Sequence, residues 1–176
     1  MRVFFYLAAI VLANVLTAAI APFPLGPFFI PTGTFLIGVT FILRDLVQER
    51  YGRKQTYAII TIALFISGIS SYLLGDTLTI LMASAISFVL SETTDTEIYT
   101  RLKLPMGWRV FWSGAVGGIL DSATFVIIGL SPIGAGFLTW EMVPMAIAGQ
   151  VLVKVVMQGL GAGMISLLPK RLVLKG

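Results

Sequence analysis

The sequence predicts an all-α integral membrane protein, because it is unusually apolar, contains six long apolar runs and confines its basic residues to alternate connections. Of its 176 residues, 57% are hydrophobic and only 11% are charged, and the mean hydropathy is +0.98. A soluble domain averages about 25% charged residues, and a small one buries only about two-thirds of the surface that its unfolded chain exposes. Lipid must therefore cover the remaining apolar surface. The same composition excludes a disordered chain.

Six apolar runs predict six transmembrane helices, since a helix needs about 20 apolar residues to cross a hydrocarbon core of about 30 Å. The connections are short, so residues 1–176 are expected to form a single transmembrane domain. The fourth run is too short by itself, but its polar continuation reaches Arg101 without Gly or Pro, which gives a helix of about 24 residues. The six runs are Val3–Ala21, Pro31–Val47, Tyr57–Leu74, Leu78–Leu90 with this continuation, Val110–Ile128 and Pro144–Leu168.

Basic residues mark one side of the predicted membrane domain. Eleven of the twelve lie before the first span, near the end of the second, between the fourth and fifth, or after the sixth. By the positive-inside rule, both termini are expected to be cytoplasmic, in a multi-pass protein of the cytoplasmic (inner) membrane. These eleven are Arg2, Arg44, Arg50, Arg53, Lys54, Arg101, Lys103, Arg109, Lys170, Arg171 and Lys175.

The N-terminal segment has a second interpretation. Arg2, the apolar stretch Val3–Leu16 and the small residues around Ala19 also resemble a cleaved signal peptide, which would leave five spans. Asn14 and the proline-rich loop that follows favour a retained span and its turn.

Thr residues and Gly pairs predict how the spans begin and pack. Thr32 and Thr34 stand near the start of the second span, where their hydroxyls can satisfy open backbone amides. Gly114 and Gly118 form one GxxxG pair, and Gly159 and Gly163 form another. Such spacing lets helix backbones approach closely, so both pairs are expected to be packing seams within one bundle.

Lys154 is the clearest ionisable residue inside a span. It lies near the middle of the sixth run, where a charged group costs about 2.5–3.5 kcal/mol on insertion scales. Gln150 and Gln158 lie four residues to either side, so the three share one face that should point inward. Asp121 falls at similar depth in the fifth run and is the expected partner of Lys154. The pair is either a structural link between helices or part of a substrate cavity.

Two acidic residues occupy the polar continuation of the fourth run. Glu92 and Asp95 share a helix face, which is either buried against a ligand or simply a solvated helix end. The short apolar run favours burial. In the first span, Asn14 is expected to form a helix–helix hydrogen bond.

The end of the second span is rich in charge. In residues 44–54, Asp45 and Glu49 have i, i+4 spacing, as do Arg44 and Gln48. By composition alone this is an ordinary interfacial helix end with local salt bridges.

Several kinds of chemistry are excluded or find no support. The chain contains no His and no Cys, which excludes thiolate catalysis, His general bases, Cys/His metal sites and disulfides. The sequence has no phosphate loop, dinucleotide fingerprint or nucleophile elbow. The net charge of +4 is explained by membrane orientation and does not indicate nucleic-acid binding. We therefore expect no enzyme activity, cofactor or metal.

The stretch FILRDLVQERYGRK at residues 41–54 resembles the signature of the VUT family, the vitamin uptake transporter group associated with queuosine-precursor import. Asp45, Glu49, Tyr51 and Gly52 match that signature, and the order of the later polar residues agrees over about residues 10–170. The resemblance implies a six-helix bundle similar to the substrate-binding subunits of energy-coupling-factor importers. The candidate substrate-binding residues are Asn14, Asp45, Glu92, Asp95, Asp121, Gln150, Lys154 and Gln158.

The resemblance also implies a function, which is import of 7-cyano-7-deazaguanine or its 7-aminomethyl analogue across the lipid bilayer. Carboxylates would accept from the N–H groups of this deazapurine, and Lys or Gln side chains would donate to its carbonyl oxygen. One alternative is a substrate-binding subunit of a vitamin importer that needs a separate ATPase and coupling module. A second alternative is a membrane structural or assembly protein with no substrate.

Overall fold

Six apolar segments of the chain form α-helices, because a helix satisfies its own backbone hydrogen bonds where no water is available. The computed structural model describes residues 1–26 and 28–167. The helices are α1 (Arg2–Ala19), α2 (Gly33–Tyr51), α3 (Arg53–Leu73), α4 (Leu78–Arg101), α5 (Met106–Phe125) and α6 (Val143–Leu167).

The helix bounds agree with the predicted runs to within a few residues. α4 has the predicted length of 24 residues, and its polar half is helical throughout. α5 passes directly into a five-residue π-helix, Val126–Leu130. The last residue of the sixth predicted run, Leu168, lies outside the described residues.

Four of the six helical segments are long and apolar enough to cross a membrane: α1, α3, α5 with the π-helix, and α6. The other two, α2 and α4, contain 19 and 24 residues. At a rise of 1.5 Å per residue, even the shorter one extends about 28 Å. Charged residues in their second halves lower their hydropathy. The described chain is thus a helical protein with several apolar spans.

The helices form a closed ring in the order α1–α2–α6–α5–α4–α3, in which each packs against the next and α3 returns to α1. α2 also contacts α3, α4 and α5, so it is the most central helix. This position accounts for the burial of polar residues on α2.

The two GxxxG pairs have different environments. A Cβ atom on Gly118 would lie 3.2 Å from the Cβ of Lys154, and one on Gly114 would meet Gln158. This pair is therefore the predicted seam between α5 and α6. The expectation for the second pair was wrong, because Gly163 faces open space and Gly159 has only one neighbour, Phe111, at 3.9 Å.

A β-hairpin replaces the loop that was expected between the first two spans. Phe23–Leu25 and Phe28–Ile30 pair antiparallel as β1 and β2, and Gly26 in the turn has a φ of 58°. β2 packs on α6, where Gly149 lets the side chain of Phe28 approach closely. The hairpin therefore fixes the connection against the helix ring.

The start of α2 differs from the expectation that Thr32 caps its own helix. Its side chain makes no cap hydrogen bond. The Thr32 hydroxyl lies 3.1 Å from the carbonyl oxygens of both Leu16 and Ile20 and donates to the end of α1. Thr32 therefore links the start of α2 to the end of α1, where the last carbonyls of a helix lack intrahelical donors.

Basic side chains tie the helices together at one end of the ring. Arg2 donates to the carbonyl oxygen of Leu46, and Arg53 pairs with Glu97 across α3 and α4. The predicted basic residues Lys170, Arg171 and Lys175 lie outside the described residues. We refer to this end, which holds the α2–α3 and α4–α5 connections, as the basic end of the ring.

Candidate functional site

Two adjoining cavities lie within the ring, and their connected shape defines the candidate site. The inner cavity has a volume of about 160 Å³ and reaches Glu92 and Asp121. The outer cavity has a volume of about 480 Å³ and is mainly apolar, with Phe137 and Met145 in its wall. Both are lined by Thr17, Pro31, Asp76, Ile80, Phe125 and Gln150. Together they form a path from the loops opposite the basic end into the polar interior.

Arg44 is the centre of the largest buried polar cluster at the site. Its side chain is fully buried, and its guanidinium contacts three carboxylates. Nη1 lies 3.1 Å from Oδ1 of Asp45, Nε lies 3.2 Å from Oε2 of Glu92, and Nη2 pairs with Asp95. We call these four residues the Arg44 cluster. It connects α2 to α4, and Glu92 brings it to the wall of the inner cavity.

Neutral side chains add hydrogen bonds to the Arg44 cluster. Nη1 of Arg44 donates to Oε1 of Gln48 at 2.8 Å and to the hydroxyl of Thr96 at 3.2 Å. The hydroxyl of Ser113 on α5 lies 3.4 Å from Oδ2 of Asp45. Buried ions need such additional partners, because desolvation of each charge costs several kcal/mol.

By composition, residues 44–54 were interpreted as an ordinary interfacial helix end, and the Arg44 cluster shows that this interpretation was wrong. The side chains of Arg44, Asp45 and Gln48 are all buried. Of the two i, i+4 pairs, only Arg44 and Gln48 form a hydrogen bond within the helix. The central position of α2 turns this face toward α4, so Arg44 does not contribute to the exposed basic residues at the basic end.

Lys154 forms the predicted pair with Asp121. Nζ of Lys154 lies 2.6 Å from Oδ2 of Asp121 and 2.7 Å from the hydroxyl of Ser122. The Lys154 side chain is fully buried, whereas that of Asp121 is 12% exposed and lines the inner cavity. The pair therefore links α5 to α6 and presents its acidic partner to the cavity.

The predicted inward face of α6 is also confirmed, and its two glutamines have different environments. Nε2 of Gln158 donates to the carbonyl oxygen of Gly38 at 2.8 Å. Gln150 is 4% exposed and lines both cavities, yet its side-chain amide forms no hydrogen bond with the described residues. Because this amide borders the cavities, it is available to a ligand or water.

Three side chains close the ring on the basic side of the Arg44 cluster, those of Glu49, Tyr99 and Arg109. The Tyr99 hydroxyl donates to Oε2 of Glu49 at 2.9 Å, and Nη1 of Arg109 lies 3.4 Å from the same oxygen. The Arg109 guanidinium stacks 3.9 Å from the centre of the Tyr99 ring. These contacts join α2, α4 and α5, so the described structure is closed here and accessible from the other side.

The structure divides the eight predicted site residues into two groups of four. One group lines the inner cavity and comprises Asn14, Glu92, Asp121 and Gln150. The other group lies behind the cavity wall and comprises Asp45, Asp95, Lys154 and Gln158. Asn14 also makes the expected interhelical hydrogen bonds, donating to the hydroxyl of Ser70 on α3 at 2.6 Å.

Sequence reasoning missed Arg44, Thr96 and Ser122 as parts of these networks. Charge balance is the signal that could have identified Arg44 as part of the buried network. Once Glu92 and Asp95 are expected to be buried, they require a cation, and Lys154 already has Asp121. Arg44 adjoins Asp45, which the family signature had singled out. The hydroxyls of Thr96 and Ser122 gave no comparable signal.

Comparisons with known proteins place the chain in a family. The family model described as "Putative vitamin uptake transporter" matches residues 71–168, which is more than half of the 176 residues. No curated protein and no solved structure matches the chain. The matched region contains α4, α5 and α6 and so includes Glu92, Asp121 and Gln150 of the cavity wall. The chain therefore belongs to the vitamin uptake transporter family.

Proposed function

We propose that this protein imports a queuosine precursor, 7-cyano-7-deazaguanine or 7-aminomethyl-7-deazaguanine, across the cytoplasmic (inner) membrane. The observation that carries the proposal is a cavity with a polar inner end, enclosed by a ring of helices and joined to an apolar outer cavity. Such a shape suits a flat heterocycle that must leave water and then find hydrogen-bond partners. The substrate leaves chemically unchanged, so no enzymatic step is proposed.

The cavity wall offers complementary groups for a deazaguanine. Glu92 and Asp121 supply carboxylate oxygens that can accept from the ring N–H and the exocyclic amine. The unpaired amide of Gln150 can donate to the carbonyl oxygen, and Phe125, which lines both cavities, can cover the ring face. A substrate without these groups would leave buried polar atoms unpaired, which is a strong source of selectivity.

In the proposed topology all six helices cross the membrane, both termini are cytoplasmic, and residues 1–176 form one transmembrane domain. Support comes from the lengths of α2 and α4 and from the basic end, which the positive-inside rule assigns to the cytoplasm. The bundle would then be similar to the substrate-binding subunits of energy-coupling-factor importers. In this topology the cavities open outward. The contacts among Glu49, Tyr99 and Arg109 must then break before substrate reaches the cytoplasm.

Uptake in living cells tests this proposal. The host cannot synthesise the precursor and lacks its own importer, and the readout is queuosine in tRNA, measured by mass spectrometry after feeding a trace of either compound. We expect the intact protein to restore queuosine and Glu92→Gln to lower it at least tenfold. Thr93→Val is the matched control, because the Thr93 hydroxyl bonds only carbonyl oxygens of its own helix, Val89 at 2.6 Å and Leu90 at 3.2 Å.

Other outcomes favour the alternative functions. Queuosine restored only when an ATPase and coupling module are co-expressed would identify a substrate-binding subunit of a larger importer. No uptake of either compound, together with no ligand-induced rise in the melting temperature of the inserted protein, would overturn the proposal. A structural or assembly role would then account for the buried polar groups.

A further inference from the structure

The ionisable side chains that line the two cavities, within residues 1–26 and 28–167, are all acidic. Glu92 and Asp121 lie in the inner cavity, Glu141 lies in the outer one, and Asp76 borders both. Each is an acid that a ligand meets on its way inward. Charge complementarity along such a path favours positively charged ligands and disfavours anions.

The buried cations around the cavities do not cancel the negative charge of these acids. Among the described buried side chains, two cations, Arg44 and Lys154, face four carboxylates. Lys154 balances Asp121, whereas Arg44 alone must balance Asp45, Glu92 and Asp95. With every group ionised, the Arg44 cluster has two negative charges in excess. Uncompensated charge is expensive inside a membrane, so protons or a bound cation must supply the missing positive charge.

Gln150 gives an independent indication that a ligand occupies this region. Gln150 is 4% exposed, and its side-chain amide lies at the junction of the two cavities and forms no hydrogen bond with the described residues. This unpartnered polar side chain and the acids thus line the same connected cavities. A ligand that reaches Gln150 lies in the same inner cavity as Glu92 and Asp121.

We propose that the site selects a ligand with one positive charge, a flat heterocycle that carries a protonated amine. This inference rests on the proposed function, and it distinguishes the two precursors. The aliphatic amine of 7-aminomethyl-7-deazaguanine is protonated near pH 7, as a Lys side chain is, whereas the nitrile of the cyano compound is neutral. One cavity carboxylate accepts from the ring N–H groups, and the other faces the ammonium group.

The test is the ratio of the two affinities, measured by isothermal titration of the full-length protein in lipid nanodiscs. We expect the aminomethyl compound to bind at least tenfold more tightly than the cyano compound. Glu92→Gln should reduce this ratio toward one, mainly through weaker binding of the aminomethyl compound. Glu97→Gln is the matched control, because Glu97 lies on the same helix as Glu92, lines neither cavity and pairs with Arg53, so the ratio should change less than threefold.

The possible results separate this inference from the proposed function. Equal affinities, or tighter binding of the cyano compound, would overturn cation selection while leaving deazapurine import intact. Binding of neither compound by the folded protein would overturn both. The wild-type ratio decides the matter even if Glu92→Gln proves unstable.

Discussion

Two buried cations hold the interior of this protein together, and they are balanced in opposite ways. Lys154 has one carboxylate partner, Asp121, and one hydroxyl partner, Ser122. Arg44 has three carboxylate partners and two neutral ones. The Lys154 pair is neutral overall, whereas the Arg44 cluster has excess negative charge.

The difference follows from the chemistry of the two side chains and from helix position. A guanidinium offers five donors in a planar fork and can serve several carboxylates, whereas an ammonium is a compact point charge. Arg44 also lies on α2, which contacts five other elements, while Lys154 lies at one seam between α5 and α6. The comparison teaches that each cation joins two helices, but Arg44 does so among three carboxylates between α2 and α4, whereas Lys154 pairs with one between α5 and α6.

The largest effect on stability is expected from Arg44→Met. It leaves Asp45, Glu92 and Asp95 buried without a cation, and removing one partner from a buried ion pair costs about 3–5 kcal/mol. Thermal unfolding in detergent measures the loss. The control is Arg53→Gln, because the side chain of Arg53 is 52% exposed and its pair with Glu97 is worth at most about 1 kcal/mol. Equal losses in the two variants would show that the Arg44 cluster does not organise the bundle.

Lys154→Met should have a smaller effect, about 3 kcal/mol, at the lower end of the cost of breaking a buried pair. Asp121, its partner, is 12% exposed and can be hydrated or protonated from the cavity. Adding Asp121→Asn should recover much of the loss, because the orphaned charge is then removed. Full additivity of the two changes in a double-mutant cycle would contradict a direct interaction.

Gln150→Leu should leave the melting temperature almost unchanged, because the side chain of Gln150 forms no hydrogen bond with the described residues. Ligand affinity should fall at least about tenfold, or 1.4 kcal/mol, through loss of a buried hydrogen bond. Melting temperature and deazapurine binding are measured on the same preparation. Gln158→Leu provides the contrast, because Gln158 bonds Gly38 and its loss should lower stability. If Gln150→Leu lowered stability but left ligand affinity unchanged, Gln150 would not belong to the binding site.

Much of the site was predictable because a polar residue in an apolar run has few explanations. Lys154, Asp121 and Gln150 each interrupt such a run, and burial and pairing follow from the cost of desolvation. Arg44 was not predictable in this way. It begins a charged stretch whose composition fits an exposed helix end equally well, and only packing against α4 decides between the two.

The sequence by itself determined the helical class, the approximate bounds of the helices and the inward face of α6, because hydropathy and periodicity are properties of the local chain. Only the tertiary structure decided the order of helices around the ring, the burial of Arg44, the pairing of Phe23–Leu25 with Phe28–Ile30 and the division between cavity wall and supporting residues. These features depend on which helix faces which, and that choice is made by contacts between residues far apart in the chain.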